Sequence, residues 1–133
     1  ACMDICPVDC INFTDNAAEP DLRAHLRVPA LNAKQTIAYY DQVLKHDASA
    51  RDHVRLFMVP GMFHCGGGSG VSRFDALGAT VAWVERGSAP DALHGERVEA
   101  GRSVRSRPLC PYPQVARYRG AGSIDEASSF SCR

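Results

Sequence analysis

The sequence predicts a chain of the α/β class, with one or two strands, two amphipathic helices and a long irregular tail tied down by disulfides. The apolar run at 54–59 has the length of a buried strand and is ended by Pro60-Gly61. Apolar residues recur at helical spacing over 33–45 and again over 73–86. The segment 107–113 contains three prolines, which exclude a helix interior or a central strand and predict an extended surface segment.

The composition is that of one globular domain. At 133 residues, with 45% hydrophobic and 23% charged side chains, the chain is long enough for one core and too short for two. Because 15 basic residues balance 15 acidic ones, nothing draws the chain to nucleic acid or to an anionic membrane surface. No apolar run approaches the roughly 18 residues of a membrane span. We therefore expect neither partner, and the sequence does not indicate an oligomeric state.

Six cysteines in a chain of this size predict an oxidising compartment, secreted or periplasmic. A bridge between Cys110 and Cys132 would keep the tail at 119–133 ordered, but spacing alone does not choose among the possible pairings. A metal site that combines His64 with several cysteines is the minor interpretation, because no C-x2-C spacing occurs. The six are Cys2, Cys6, Cys10, Cys65, Cys110 and Cys132.

The N-terminal third predicts an irregular arm followed by helix. Residues 1–20 form the cysteine-rich arm, whose start has neither an initiator methionine nor a signal peptide and predicts a processed chain or a piece of a longer one. One or two helical turns at 21–27 follow. The helix at 33–45 opens with an Asn32/Gln35 capping box, and we expect one or both rings of Tyr39 and Tyr40 in the core. Residues 47–52 are interpreted as a polar linker.

The second helix, at 73–86, follows Ser72 and ends at Gly87. Its apolar face consists of Phe74, Leu77, Val81 and Val84, widened by Trp83. Beyond it we expect a strand within 96–104. The local group of arginines there is interpreted as a solvated face or a strand edge; its members are Arg97, Arg102, Arg105 and Arg107.

A histidine and a cysteine come directly after the predicted strand, and three glycines follow them. His64 thus lies on a loop beside a rigid element, where substrate and solvent have access. The ordinary pKa of a histidine is near neutrality, which suits a general base. The glycines let the backbone turn tightly beside it. A lone histidine at a turn is more often structural or solvated, so the loop alone does not assign a role.

Three stretches resemble the C-terminal part of the tannase and feruloyl esterase family of α/β-hydrolases. The first is Thr-Ile-Ala-Tyr-Tyr-Asp-Gln-Val at 36–43, and the second contains Val-Pro-Gly-Met-Phe-His-Cys-Gly-Gly-Gly at 59–68. The third runs from Phe74 through Arg-Ser-Arg-Pro-Leu-Cys-Pro-Tyr-Pro at 105–113 to Cys132. The resemblance covers about residues 21–133, and residues 1–20 match nothing in it.

The resemblance implies roles for four residues. His64 would be the catalytic histidine, which takes a proton from a serine nucleophile and returns it to the leaving alcohol. Cys65 would bridge to a cysteine beside that serine, so its partner is absent or lies near the N-terminus. Cys110 and Cys132 would form a second, structural bridge. The implied reaction is the hydrolysis of carboxylic esters of aromatic acids.

Parts of the family pattern are missing from this chain. The nucleophile elbow is absent, and Ser69 does not meet the G-x-S-x-G pattern. The strand with the triad's acid is absent before Val28-Pro29. The lid with the family's calcium site is absent too, so we expect no cofactor. The leading hypothesis is therefore a C-terminal segment that supplies His64 and is inactive alone; the alternative is a non-catalytic, disulfide-stabilised secreted binding module derived from the family.

Overall fold

A computed structural model describes residues 33–63 and 66–133, and the structural statements below concern those residues. The predicted arm at 1–20 and the helical turns at 21–27 lie outside them. Within the described ranges there are two helices and four strands, with two short 3-10 helices at Ala48–Asp52 and Ala127–Ser129. The helices are α1 (Ala33–His46) and α2 (Ala76–Arg86); the strands are β1 (Leu93–Glu99), β2 (Arg102–Leu109), β3 (Ala116–Tyr118) and β4 (Phe130–Cys132).

Helix α1 confirms the first predicted helix, and its two tyrosines have different surroundings. The side chain of Tyr39 is 71% exposed, whereas Tyr40 is 6% exposed. The Tyr40 hydroxyl donates a hydrogen bond to the carbonyl of Val54 at 3.3 Å, and its ring meets Tyr112 edge to face at 6.1 Å. One ring of the pair is therefore core, and it joins α1 to the segment that follows.

The polar linker predicted at 47–52 is instead a 3-10 helix, Ala48–Asp52. The carboxylate of Asp47 caps it by accepting hydrogen bonds from the backbone N–H and the hydroxyl of Ser49. These bonds favour the charged form and lower the pKa of Asp47. An Asp that bonds the backbone two residues later is a local signal for such a turn.

The predicted strand at 54–59 is extended and partly buried, but it is not a strand of either sheet. Leu56 and Val59 are buried, as expected, while Val54 is exposed. Its pairing consists of an isolated bridge between Phe57 and Pro111, supported by a hydrogen bond from Tyr112 N–H to the Leu56 carbonyl at 2.7 Å. A strand requires a neighbour along its length, and the described residues supply one at a single point.

Helix α2 begins three residues later than predicted, at Ala76. The backbone of Arg73 is engaged elsewhere, because it exchanges hydrogen bonds with Glu96 at 3.0 and 2.8 Å. The cap is Asp75, whose carboxylate accepts from Gly78 N–H at 2.7 Å, rather than Ser72. Gly87 ends the helix in the left-handed region, with φ 66°, as predicted.

The predicted apolar face of α2 is largely exposed. Leu77 is 76% and Val84 81% exposed, and α2 contains no buried residue. Phe74 and Ala79 are partly buried against the core. The helical period was thus correct, but the described part of the chain offers nothing that covers most of this face.

Strands β1 and β2 form an antiparallel hairpin where the sequence predicted a single strand. Ala100 and Gly101 make the turn, with φ 48° and 78°, which is the two-residue geometry that suits a tight hairpin. The prediction that 107–113 lies on the surface is wrong for the centre of this segment. Strand β2 continues through Pro108, and Leu109 and Cys110 are buried. Edge position makes this proline tolerable.

A second two-stranded antiparallel sheet orders the tail. Strand β3 pairs with β4 through Ala116 opposite Cys132 and Tyr118 opposite Phe130. A disulfide joins Cys110 to Cys132, which is the bridge that the resemblance implies. The backbone of Ser106 on β2 also donates to the Asp125 carbonyl at 2.9 Å. The tail is therefore attached to the first hairpin by covalent and polar contacts.

The hydrophobic core lies between the extended segment, the glycine-rich loop that follows it and the first hairpin. Val59, Val71, Leu93 and Leu109 form its buried centre. Gly95 on β1 allows the close approach, because a Cβ at this position would lie 2.7 Å from a methyl group of Val71. This core holds both ends of the loop at 60–70.

Replacing Leu109 with alanine should destabilise the chain by about 2–5 kcal/mol, since it leaves a cavity in this centre. The measurement is the denaturant midpoint of the purified chain. Val104→Ala is the matched control, because Val104 lies on the same strand but is 44% exposed. It should change stability by less than about 1 kcal/mol. Equal effects of the two substitutions would contradict the assigned core.

Candidate functional site

The loop at 60–70 is anchored in the core at both ends. Val59 precedes it and Val71 follows it, and each is 3% exposed. Beyond Val71, Ser72 and Arg73 donate backbone hydrogen bonds to the Glu96 carbonyl on β1. Both ends of the loop are therefore fixed to rigid parts of the fold.

Between these anchors the loop forms a tight hairpin of backbone hydrogen bonds. Met62 bridges to Gly68, and Gly70 N–H donates to the Gly61 carbonyl at 2.9 Å. Nearer the tip, Phe63 N–H donates to the Gly67 carbonyl and Gly66 N–H to the Phe63 carbonyl, both at 3.3 Å. The last of these hydrogen bonds joins the residues directly before and after sequence positions 64 and 65.

Close backbone approach explains why glycines are needed here. A Cβ on Gly68 would collide with the carbonyl of Gly61, and a Cβ on Gly70 would collide with the carbonyl of Pro60. Gly61 and Gly68 also have positive φ, 76° and 93°. Side chains other than hydrogen would open this hairpin.

His64 and Cys65, the candidate base and its neighbour, lie outside the described residues. Of the described residues that precede them, Phe63 is 67% exposed, and Met62 packs partly against the core. The guanidinium of Arg97 donates a hydrogen bond to the Ser69 carbonyl at 3.1 Å. This bond attaches the second arm of the loop to strand β1. Ser69 is thus a backbone anchor.

A cleft of about 320 Å³ lies beside the base of this loop. Met58, Pro60 and Val71 contribute to its walls from the loop side, and Leu109 and Phe130 from the two sheets. Its lining is mainly apolar. Two arginines of β2 supply its charge.

These arginines, Arg105 and Arg107, are partly buried and therefore not a fully solvated face; the alternative interpretation, a strand edge, fits them, because β2 is a strand of a two-stranded sheet. Arg105 forms an ion pair with Asp125 at 2.7 Å. The Arg107 guanidinium lies 4.1 Å from the centre of the Phe130 ring. Burial lowers the pKa of Arg107, and the nearby Arg105 lowers it further. Their i, i+2 spacing in the sequence indicated that they share one face of a strand, because alternate residues of a strand point to the same side.

The hydroxyl of Tyr112, in the segment after β2, also has a shifted pKa. The Tyr112 hydroxyl donates to the carboxylate of Asp41 on α1 at 3.2 Å. Burial raises the pKa of Tyr112, and the negative charge of Asp41 raises it further. This contact holds α1 against the segment after β2.

The described residues do not fit a metal site. Within 33–63 and 66–133, no group of three or more His, Cys, Asp or Glu side chains is positioned to hold an ion. Calcium prefers six to eight oxygen ligands, so the calcium implied by the family resemblance has no candidate ligand set here. The cysteines of the minor metal interpretation lie outside the described residues. Among the helices described, none has the length and apolarity to cross a membrane.

Solved structures define the class of protein to which this architecture belongs. The chain matches an esterase from Aspergillus oryzae with a TM-score of 0.69 and 26% identity, over 78% of this chain and 25% of that one. It matches feruloyl esterase B from Aspergillus oryzae with a TM-score of 0.65 and 26% identity, over 78% and 24%. The described fold is therefore part of an esterase fold of the α/β-hydrolase kind.

Sequence comparison identifies the family: the chain belongs to the tannase and feruloyl esterase family, whose model matches residues 7–133. The match includes residues 7–20, for which motifs alone gave no resemblance. A mono(2-hydroxyethyl) terephthalate hydrolase of Piscinibacter sakaiensis is 44% identical over 93% of this chain and 21% of its own length. A probable feruloyl esterase of Arthroderma benhamiae is 37% identical over 70% and 19%. The chain spans about a fifth of these relatives.

The substitution Gly68→Ala should open the hairpin, because it combines an unfavourable positive φ with a collision against a backbone carbonyl. We expect a loss of more than about 2 kcal/mol, measured from the denaturant midpoint. Gly66→Ala is the matched control: Gly66 also has a positive φ, 140°, but a Cβ there meets nothing within 4 Å. A Gly66 variant as unstable as the Gly68 variant would show that close approach is unimportant.

Proposed function

We propose that this chain is the C-terminal segment of a serine ester hydrolase and supplies the histidine of its catalytic triad, His64. The observation that carries the proposal is the glycine hairpin at 60–70, anchored through Val59 and Val71, within a family match that covers residues 7–133. A base must be held in a fixed position to be effective. The described frame on either side of position 64 provides that rigidity.

In this proposal His64 acts on groups that other parts of the enzyme provide. It accepts the proton of a serine hydroxyl as that oxygen attacks the ester carbonyl, and it then protonates the leaving alcohol. Cys65 forms a disulfide next to that serine, which keeps nucleophile and base in register. Ser69 is not proposed as the nucleophile, because it does not meet the G-x-S-x-G pattern and lies only five positions from His64 in the sequence.

The substrates we propose are carboxylic esters of aromatic acids. The names of the relatives support this class: one is a terephthalate monoester hydrolase, and others are feruloyl esterases. The chain's own disulfide, Cys110–Cys132, supports a secreted or periplasmic location, since such bonds persist in oxidising compartments. We propose no cofactor for the segment itself.

The chain alone should lack activity. It spans 21% of the length of the terephthalate monoester hydrolase, and its sequence contains no nucleophile elbow. A base without a nucleophile and an oxyanion hole has little to act on. The large exposed apolar side chains of α2, Leu77 and Val84, favour such a segment over a self-sufficient binding module, which would cover or replace them.

The test is hydrolysis of methyl gallate and methyl ferulate by the purified chain, beside His64→Ala. We expect both proteins to match the buffer blank. Gln42→Ala, a change at an exposed position of α1, is purified in the same way and shows whether any difference in turnover is specific to His64. Turnover by the chain that disappears in His64→Ala would show that it contains an unrecognised nucleophile and is a complete enzyme.

A further inference from the structure

The cleft at the base of the glycine hairpin has a chemistry that the proposed reaction does not use. Its volume of about 320 Å³ lies at the lower end of the range of small-molecule sites, about 300–1,000 Å³. Of the described loop residues, Pro60 and Gly70 line the cleft, and none of those between them does. The cleft therefore belongs to the base of the loop rather than to the described part of its tip.

Apolar side chains form most of the walls of this cleft. Met58 and Val71 contribute from the two ends of the hairpin, Leu109 from β2 and Val115 from the segment before β3. Val71 and Leu109 belong to the buried core, so their wall is rigid, whereas Val115 is exposed. Walls of this kind favour the apolar body of an organic ligand over a hydrated inorganic ion.

Arg107 adds a positive charge to the cleft that no described side chain neutralises. The other arginine of the lining, Arg105, is paired with Asp125 at 2.7 Å. Within 33–63 and 66–133, Arg107 has no carboxylate within ion-pair distance. Burial and the charge of Arg105 lower the pKa of Arg107, and Asp125 offsets them only in part. An anion bound in the cleft would supply the missing negative charge.

The guanidinium of Arg107 is held in position by the protein itself. Its Nη1 donates a hydrogen bond to the Ser106 carbonyl at 2.7 Å, and its central carbon lies 4.1 Å from the centre of the Phe130 ring. An arginine has five N–H donors, and this hydrogen bond uses one of them. The others can form the paired hydrogen bonds that a guanidinium makes to a carboxylate. Because Arg107 is already oriented, binding costs less side-chain entropy.

We propose that this cleft binds a small organic monocarboxylate, whose carboxylate pairs with Arg107 and whose apolar body lies against Val71 and Leu109. A monoanion fits because Arg107 supplies one unpaired positive charge. The walls discriminate against anions without an apolar body, and the guanidinium discriminates against neutral molecules of the same shape. The inference does not rest on the proposed function, because a segment without esterase activity can still bind such a ligand.

The first measurement is an NMR titration of the isotope-labelled chain with benzoate. The backbone amide signals of Val71 and Leu109 should shift and saturate, with a Kd of about 1 mM or lower. Benzamide has the same shape without the charge, and acetate has the charge without the ring, so each should bind at least about tenfold more weakly. Either compound binding as tightly as benzoate, or no saturation by about 10 mM benzoate, would overturn the proposal.

The charge of Arg107 is tested by substitution. Arg107→Gln should weaken benzoate binding at least about tenfold, because the carboxylate loses its partner. Arg102→Gln is the matched control, since Arg102 is exposed on the same strand and does not line the cleft. It should leave the Kd within about twofold. Equal losses in the two variants would show that the general charge of β2, and not the cleft, attracts the ligand, and would refute the proposal.

A second variant keeps the test decisive if Arg107→Gln fails to fold. Gln114 is exposed and lines the cleft, so Gln114→Glu places a negative charge there without removing a buried side chain. Repulsion of the carboxylate should weaken benzoate binding at least about fivefold. Gln42→Glu makes the same change at an exposed position of α1 that does not line the cleft, and it should have no effect. Unchanged binding in Gln114→Glu would contradict the proposed site.

A further variant separates this cleft from the proposed catalytic position. His64→Ala should bind benzoate as tightly as the unaltered chain does, because the carboxylate pairs with Arg107. Binding that is lost in His64→Ala and retained in Arg107→Gln would place the ligand at the tip of the loop and overturn the proposal. Neither result depends on turnover, so the cleft and the catalytic role of His64 can fail independently.

Discussion

The close contact between the two arms of the glycine hairpin is the constraint on which the candidate site depends. Gly68 and Gly70 lie so near the carbonyls of Gly61 and Pro60 that no side chain fits. Backbone hydrogen bonds between the arms replace side-chain packing in this loop. Because Val59 and Val71 enter one core, the hairpin is held at its base as well as along its length. The glycines therefore permit a close backbone approach that hydrogen bonds between the arms maintain.

The remainder of the described fold supports that base. Gly95 admits Val71 to the first hairpin, and Leu109 closes the core from β2. The tail would be unstable on its own, since β3 and β4 have only three residues each. The Cys110–Cys132 bond and the Arg105–Asp125 ion pair attach it to β2. A covalent link is effective here because it restricts the unfolded chain over a long loop.

The described part of the chain divides its apolar side chains between a small core and an exposed helix face. Its buried centre is small, and none of the described side chains is completely inaccessible. Small domains have few ways to offset the entropy of folding, so they seldom leave a helix stripe of aliphatic residues in water. Under the proposed function, the exposed face of α2 and the edge at Phe57, which has no partner among the described residues, have one explanation, because the rest of the enzyme would cover both.

Local sequence determined much of this structure. Helical periodicity fixed α1 and α2, and Gly87 fixed the end of α2, because helix period and caps are properties of neighbouring residues. Family motifs identified the esterase class and the cysteine pair of the tail. The capping of α2 by Asp75 was also readable, since an Asp three residues before Gly78 can accept its N–H. The Ala100-Gly101 turn gave a weaker signal, because alanine seldom has a positive φ.

Only the tertiary structure decided what each element faces. The stripe of α2 has the pattern of a core face, yet a sequence cannot state whether the partner surface is present in the same chain. Leu109 and Cys110 are buried despite flanking prolines, because β1 and the tail pack around them. The segment at 54–59 has the composition of a strand, but a strand also requires a neighbour. Burial and pairing depend on residues far apart in sequence, and for that reason periodicity alone could not predict them.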